Sequence, residues 1–165
     1  LAPMTNIAMA LRLAPDIKDK IVEVIAISGA FGLNEASFLN ATGDTPQSEW
    51  NVYVDPEATK QVYESGLKVT AIGLDVATYF SVDFTDEDLA RLAASDKPEA
   101  KFLHQAISFV HGRGFQAYCA VIDCMAVAAT ADPTLLKSVR GRVGVSTQDG
   151  LTLGMTIMDL SLIHI

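Results

Sequence analysis

Thr45-Pro46-Gln47-Ser48-Glu49-Trp50-Asn51-Val52-Tyr53-Val54-Asp55-Pro56-Glu57-Ala58 leads a polar loop into a helix start, and its surroundings decide the fold class. Asp55 is placed to cap a helix, Pro56 suits the first helical position because its missing N–H costs nothing there, and Glu57 complements the helix dipole. That helix runs through Lys60, Val62 and Tyr63 to a natural stop at Gly66. Upstream, Ile21 to Ile27 is β-branched and nearly continuous, the pattern of a strand buried on both faces in a parallel sheet. Downstream, Leu67 to Gly73 reads as a second buried strand. Strand, long loop, helix and strand form a βαβ unit with a right-handed crossover, so the class is α/β. Ligands of open α/β sheets sit beyond the carboxyl ends of the strands. Ser28 to Gly32, the loop from Leu33 to Gln47, and Leu74-Asp75-Val76 all fall there. Glu49, Trp50 and Asn51 bring an acid, a large aromatic and an amide to the Pro-led loop, which makes them a binding-site candidate.

The remaining elements follow from periodicity and caps. Thr5 to Leu13 is a short helix capped by Thr5 and ended near Ala14-Pro15, and Asp16 to Lys20 is a charged turn. Thr85-Asp86-Glu87-Asp88 imitates a capping box before a helix through Leu89 and Leu92. Pro98 to Val110 is a helix with Phe102, Leu103, Ala106, Ile107 and Val110 on one face, broken by Gly112 and Gly114. Gln116 to Ala129 is almost wholly apolar apart from Asp123, which could cap the helix after it. Arg142 to Val145 and Leu151 to Met155 flank Gln148-Asp149-Gly150 as a hairpin.

Composition narrows the function classes. The chain has 165 residues, enough for one domain or most of one, and half of them are hydrophobic, so a sizeable core is expected. A net charge of −8 argues against nucleic acid as a partner, which calls for a basic face. No apolar run is long enough to cross a bilayer, and no signal segment opens the chain, so the expected setting is cytoplasmic without a membrane partner. Cys119 and Cys124 match neither a zinc pair nor a redox Cys-x-x-Cys and read as two reduced thiols in a buried segment. The Gly-x-x-Gly from Gly29 to Gly32 lacks the three-glycine spacing of a dinucleotide fingerprint.

Three blocks in order carry a family resemblance. Thr45-Pro46, Glu49, Asn51 and Asp55-Pro56-Glu57-Ala58 resemble the Thr-Pro, Glu-aromatic-Asn, Asp-Pro-Glu-Ala block of the inosine–uridine-preferring nucleoside hydrolases. Leu1-Ala2-Pro3-Met4-Thr5-Asn6-Ile7-Ala8 resembles that family's Gly-Pro-Leu-Thr-Asn-Ile-Ala turn, and Ile122-Asp123-Cys124-Met125-Ala126-Val127-Ala128 its His-Asp-Pro-Leu-Ala-Val-Ala helix start. The resemblance implies an open, mostly parallel, Rossmann-like sheet with helices on both faces, here incomplete. Residues 1–159 are then expected to form a partial nucleoside hydrolase-like domain lacking an opening Asp-rich loop. The tail 160–165 resembles the in-frame translation of a sequencing adapter and is expected to be non-native.

The implied chemistry is hydrolysis of the N-glycosidic bond of ribonucleosides around a Ca²⁺ ion, which accepts ~6–8 oxygen ligands. The missing loop would supply two carboxylates, one of them also the general base. Asp123 matches a later carboxylate ligand and Thr5 a backbone-carbonyl ligand, while Glu49 and Asn51 match residues aimed at ribose hydroxyls. Gly43 stands where the family has an Asn, for which Asn40 is the substitute, and Ile27 where it often has Met. Ile122 stands where one branch has the His that protonates the leaving base. His111, or its neighbour Arg113, is the replacement expected to face the nucleobase, with His111 as leaving-group acid. The whole protein is expected to be a nucleosidase acting on a small-molecule nucleoside as a homo-oligomer, with this piece alone inactive. The rival reading is a catalytically inactive ribosyl-binding or regulatory protein of the same fold.

Overall fold

The computed structural model describes residues 2–32, 48–78 and 84–159, without the side chains of residues 118 and 119. They divide between two compact units, one of Leu1–Tyr79 with Met125–Ile165 and one of Phe80–Cys124.

In the first unit the βαβ reading holds. β1 (Val24–Ile27) pairs in parallel with β2 (Val69–Ile72), from Val24 opposite Val69 to Ile27 opposite Ile72. The helix between them, α3 (Pro56–Glu64), begins where Asp55 accepts the Ala58 N–H at 3.0 Å, and Gly66 follows its end with φ 78°. α1 (Thr5–Leu13) packs against α3. Met4, Ala8, Ala26, Ala58 and Val62 form a core that both helices share with one face of the strand pair. β1 is shorter than the β-branched run: Val22 is exposed, and the side chain of Glu23 turns to Lys68 and Thr70.

Local chemistry explains four departures from the sequence reading. Glu49-Trp50-Asn51 is not wholly loop, because Glu49 caps a short helix, α2 (Trp50–Val54). Thr5 does not cap α1. Met4 holds that position without a side-chain bond, and the Thr5 hydroxyl donates instead to Asp55. Pro15–Lys20 closes into a 3₁₀ helix rather than an open turn. The hairpin pairs β3 (Arg142–Val145) with β4 (Thr156–Asp159), one step beyond the expected second strand. Residues 151–154 are turn instead, because the chain must curl to bring Met155 beside Ser48 and Leu153 under the Ser48 hydroxyl. Gly154 makes this approach possible: its φ is 73°, and a Cβ there would lie 2.7 Å from the Tyr53 Cα.

α4 (Leu74–Ala77) leaves β2 directly after Gly73. In the second unit, α5 (Asp86–Ala94) carries the Thr85–Asp88 capping box and packs against α6 (Pro98–His111). Ile107 is buried, but Phe102 is 73% exposed, so the expected apolar face of α6 is narrower than its pattern suggests. α7 (Tyr118–Val121) follows there, and α8 (Cys124–Ala131) belongs to the first unit apart from Cys124. Cys124 is an exposed free thiol, which corrects the buried position expected for it, and the Cys119 side chain lies outside the described residues. No helix among the described residues is long and apolar enough to cross a membrane.

Candidate functional site

Beyond Ile27 the chain turns through Ser28, Gly29, Ala30 and Phe31 at the carboxyl end of the sheet. Gly29 has φ 84°, and a Cβ on it would meet the Phe31 ring at 2.6 Å, so only glycine lets the ring fold back here. Two backbone bonds extend the sheet outward: Ser28 N–H to Ile72 C=O at 3.1 Å and Leu74 N–H to Gly29 C=O at 2.9 Å. Side chains from remote segments hold the rest. The Asn51 amide donates to Ile27 C=O at 3.0 Å, and the Tyr63 hydroxyl to Ser28 Oγ at 3.0 Å. Gly29 N–H donates to Glu49 at 3.3 Å and Phe31 N–H to Asp75 at 3.0 Å. Thr156 takes both groups of Ala30, accepting its N–H at 2.9 Å and donating to its C=O at 3.0 Å. Buried backbone polar groups must find partners, and an irregular turn cannot draw them all from a ladder.

Glu49 is the central acid of this edge and is 2% exposed. Its carboxylate accepts Asn51 N–H at 2.9 Å and Val52 N–H at 3.2 Å, capping α2, as well as Gly29 N–H from the strand end. Charge-assisted bonds from backbone donors compensate the loss of water around a buried carboxylate. The nearby Tyr63 hydroxyl registers that charge. Its pKa is pushed up to about 12 by burial, against the opposing bond to Ser28, with the Glu49 carboxylate adding to the rise.

Thr5 belongs to the same edge. α3 runs back from the carboxyl ends of the strands, so its first turn lies there, and the Thr5–Asp55 bond ties the start of α1 to it. Thr5, Glu49 and Asn51 therefore share one edge of the first unit. Asp123, in the turn before α8, and His111, the last residue of α6, are half-buried residues of the second unit. Asn40 and Gly43 lie outside the described residues.

Among the described residues, no three His, Cys, Asp or Glu side chains gather as an ion site. These residues alone do not fit the ~6–8 oxygen ligands of a calcium shell.

Residues 1–163 match the model of the inosine-uridine preferring nucleoside hydrolases. The chain belongs to that family. It is 34% identical over 163 residues to the pyrimidine-specific ribonucleoside hydrolase RihA of Shewanella oneidensis, covering 95% of this chain and 48% of that protein. It is 35% identical over 159 residues to the inosine-uridine preferring nucleoside hydrolase of Leishmania major, covering 94% and 48%. Superposed on the plant nucleoside hydrolase PpNRh1 it gives a TM-score of 0.79 at 30% identity, over 98% of this chain and 49% of that one. The chain thus spans about half the length of these relatives, and its fold is that of an incomplete α/β nucleoside hydrolase. Metal binding belongs to the family as a whole.

Ser28 and Asp75 were placed at this edge from the sequence without a bonding role there, whereas Thr156 and Tyr63 were not read as part of it. Asp75 left a signal, an acid in an apolar run just past a strand end. Thr156 left none, since its partner is 126 residues away.

Proposed function

We propose that this chain is part of a ribonucleoside hydrolase, contributing the surface that holds the ribose. Glu49 accepts a ribose hydroxyl and Asn51 bonds a second, fixing the sugar as it flattens toward a cation-like transition state. The observation that supports this reading is the burial of Glu49 at the carboxyl edge, with both carboxylate oxygens held by backbone N–H donors. Such a carboxylate needs no reorganisation when a hydroxyl arrives, and a site built this way discriminates against sugars lacking that hydroxyl. Asn40 joins them from the long loop.

Asp123 and the Thr5 carbonyl would be this chain's contributions to a bound Ca²⁺ ion, the rest of whose shell the family resemblance assigns to an Asp-rich loop. When bound, that ion supplies Lewis acidity at the sugar and water. His111 serves as leaving-group acid, in place of the His that one branch of the family carries where this chain has Ile122. The whole protein acts on nucleosides as a cytoplasmic homo-oligomer, with residues 1–159 forming the hydrolase part and 160–165 lying outside it.

A second reading, a ribosyl-binding protein without turnover, is favoured by Ile122, which cannot carry a proton. Nucleobase release by the complete protein decides between them, and the present chain alone should release none above a heat-killed control. In the complete protein His111→Ala should lose activity on an ordinary nucleoside by roughly a hundredfold while sparing p-nitrophenyl riboside, whose leaving group needs little protonation. Equal losses on both substrates, or none, remove His111 from the mechanism. Asp123→Ala should weaken calcium binding in a metal titration, and a variant indistinguishable from the parent ends that assignment.

A further inference from the structure

We infer that Thr156 and Asp75 are positioning residues for the Glu49 carboxylate, acting through the Gly29–Phe31 turn. As a statement about sugar binding, this rests on the ribose role proposed above for Glu49.

Of the N–H donors described on Glu49, Asn51 and Val52 belong to its own helix and fix the carboxylate only relative to α2. The Gly29 N–H comes from 20 residues upstream and relates Glu49 to the sheet. Where Gly29 points is set on one side by the sheet bonds of Ser28 N–H and of its own C=O, and on the other by Ala30 and Phe31, both of which are held from outside. The Thr156 hydroxyl spends its proton on Ala30 C=O and a lone pair on Ala30 N–H, so one side chain satisfies a whole peptide residue. Asp75 takes the Phe31 N–H from the first turn of α4. Gly73 leaves room for this: a Cβ there would lie 2.5 Å from the Asp75 carboxylate and 2.8 Å from the Phe31 ring. Thr156 is 2% exposed and Asp75 1%, so water cannot readily replace either. The hydrogen bonds described for Thr156 and Asp75 run to Ala30 and Phe31, one and two residues beyond Gly29. Their route to the carboxylate runs along two peptide units of a turn clamped on both sides.

If they merely capped a strand end, losing them would disturb Ala30 and Phe31 and stop there. Backbone amide spectra of the ¹⁵N-labelled chain separate the two roles. Thr156→Val keeps the shape and loses both bonds. It is expected to shift the Gly29, Asn51 and Val52 amides and to weaken D-ribose binding roughly tenfold, the worth of about one hydrogen bond network contact. Thr156→Ser, which keeps the hydroxyl, should return the amides and the affinity to the parent values. Asp75→Ala reaches the same amides through Phe31 and carries the test should Thr156→Val fail to fold. Changes confined to Ala30 and Phe31, or an unaltered ribose affinity in a variant whose Gly29 amide has moved, would overturn the inference. The ribose reading fails separately, if the parent does not bind D-ribose or Glu49→Gln binds it equally well. The amide pattern then still decides whether Thr156 and Asp75 position Glu49.

Discussion

The two ends of the β1–β2 pair are closed by different chemistry. At the amino end, Glu23 bonds Lys68 at 2.9 Å and Thr70 at 2.5 Å, all within the sheet's own neighbourhood and with Lys68 largely in water. At the carboxyl end, the Ser28–Phe31 turn is buried through Ala30, half-buried at Phe31, and tied to Tyr63, Glu49, Thr156 and Asp75, drawn from four separate segments. A solvated ion pair competes with water and with salt, so it closes a strand end cheaply and weakly. A buried irregular turn has no such substitute. Each of its donors needs a protein partner, and removing one leaves the other unsatisfied at a cost of roughly 1–3 kcal/mol. The end that carries the candidate site is therefore the rigid one.

The sharpest attempt to break this contrast is Glu49→Ala. It strips the acceptor from three N–H donors and should cost roughly 4 kcal/mol in denaturant unfolding. A loss below about 1 kcal/mol would mean that the carboxyl end is no more committed than the amino end. Gly154→Ala should come next, at roughly 2 kcal/mol, because a methyl there meets the Tyr53 backbone from an unfavourable φ. The α2 amides should move with it, since the hairpin supports that helix. Unchanged spectra would show that the hairpin and α2 are independent.

Alkali and acid should each loosen a different end. The folded pKa of Tyr63, about 12, lies above its ordinary value of 10.0. Its contribution is whole below pH 10 and is lost as pH climbs toward the folded value, because the unfolded chain gives up the proton first. Tyr63→Phe should cost roughly 1 kcal/mol near neutrality and flatten that alkaline loss. A variant that keeps the same alkaline profile would detach Tyr63 from it. Glu23 provides the smallest effect. Its carboxyl is held below the ordinary 4.5 by the Thr70 hydroxyl first and then by Lys68. That stability is present above pH 4.5 and fades as pH falls through the folded value. Glu23→Gln should change neutral stability by less than about 0.5 kcal/mol and remove the acid loss, most visibly at low salt.

Much of this was settled by local patterning. The Asp55-Pro56 start and Gly66 stop of α3 and the Thr85 capping box depend on neighbours a few residues away, and the parallel pairing of two β-branched runs follows from the single helix that joins them, so the sequence alone places all of these. Glu49 and Asn51 could be assigned to the carboxyl edge for the same reason, because a βαβ crossover leaves little choice of where its loop lies. Local signals went wrong where a tertiary partner outbid them. Thr5 looked like a helix cap, but Asp55 took its hydroxyl, and a plausible second strand became a turn because Tyr53 and Ser48 stood against it. The clamp on the Gly29–Phe31 turn belongs wholly to this second kind. Thr156 is an ordinary residue in an ordinary string and Asp75 shows only as an acid past a strand end, and their partners appear only when folding brings them to peptide groups 126 and 44 residues away. Hydrogen-bond satisfaction in the interior is a property of the assembled chain, so the sequence determined the edge and the tertiary structure decided what holds it still.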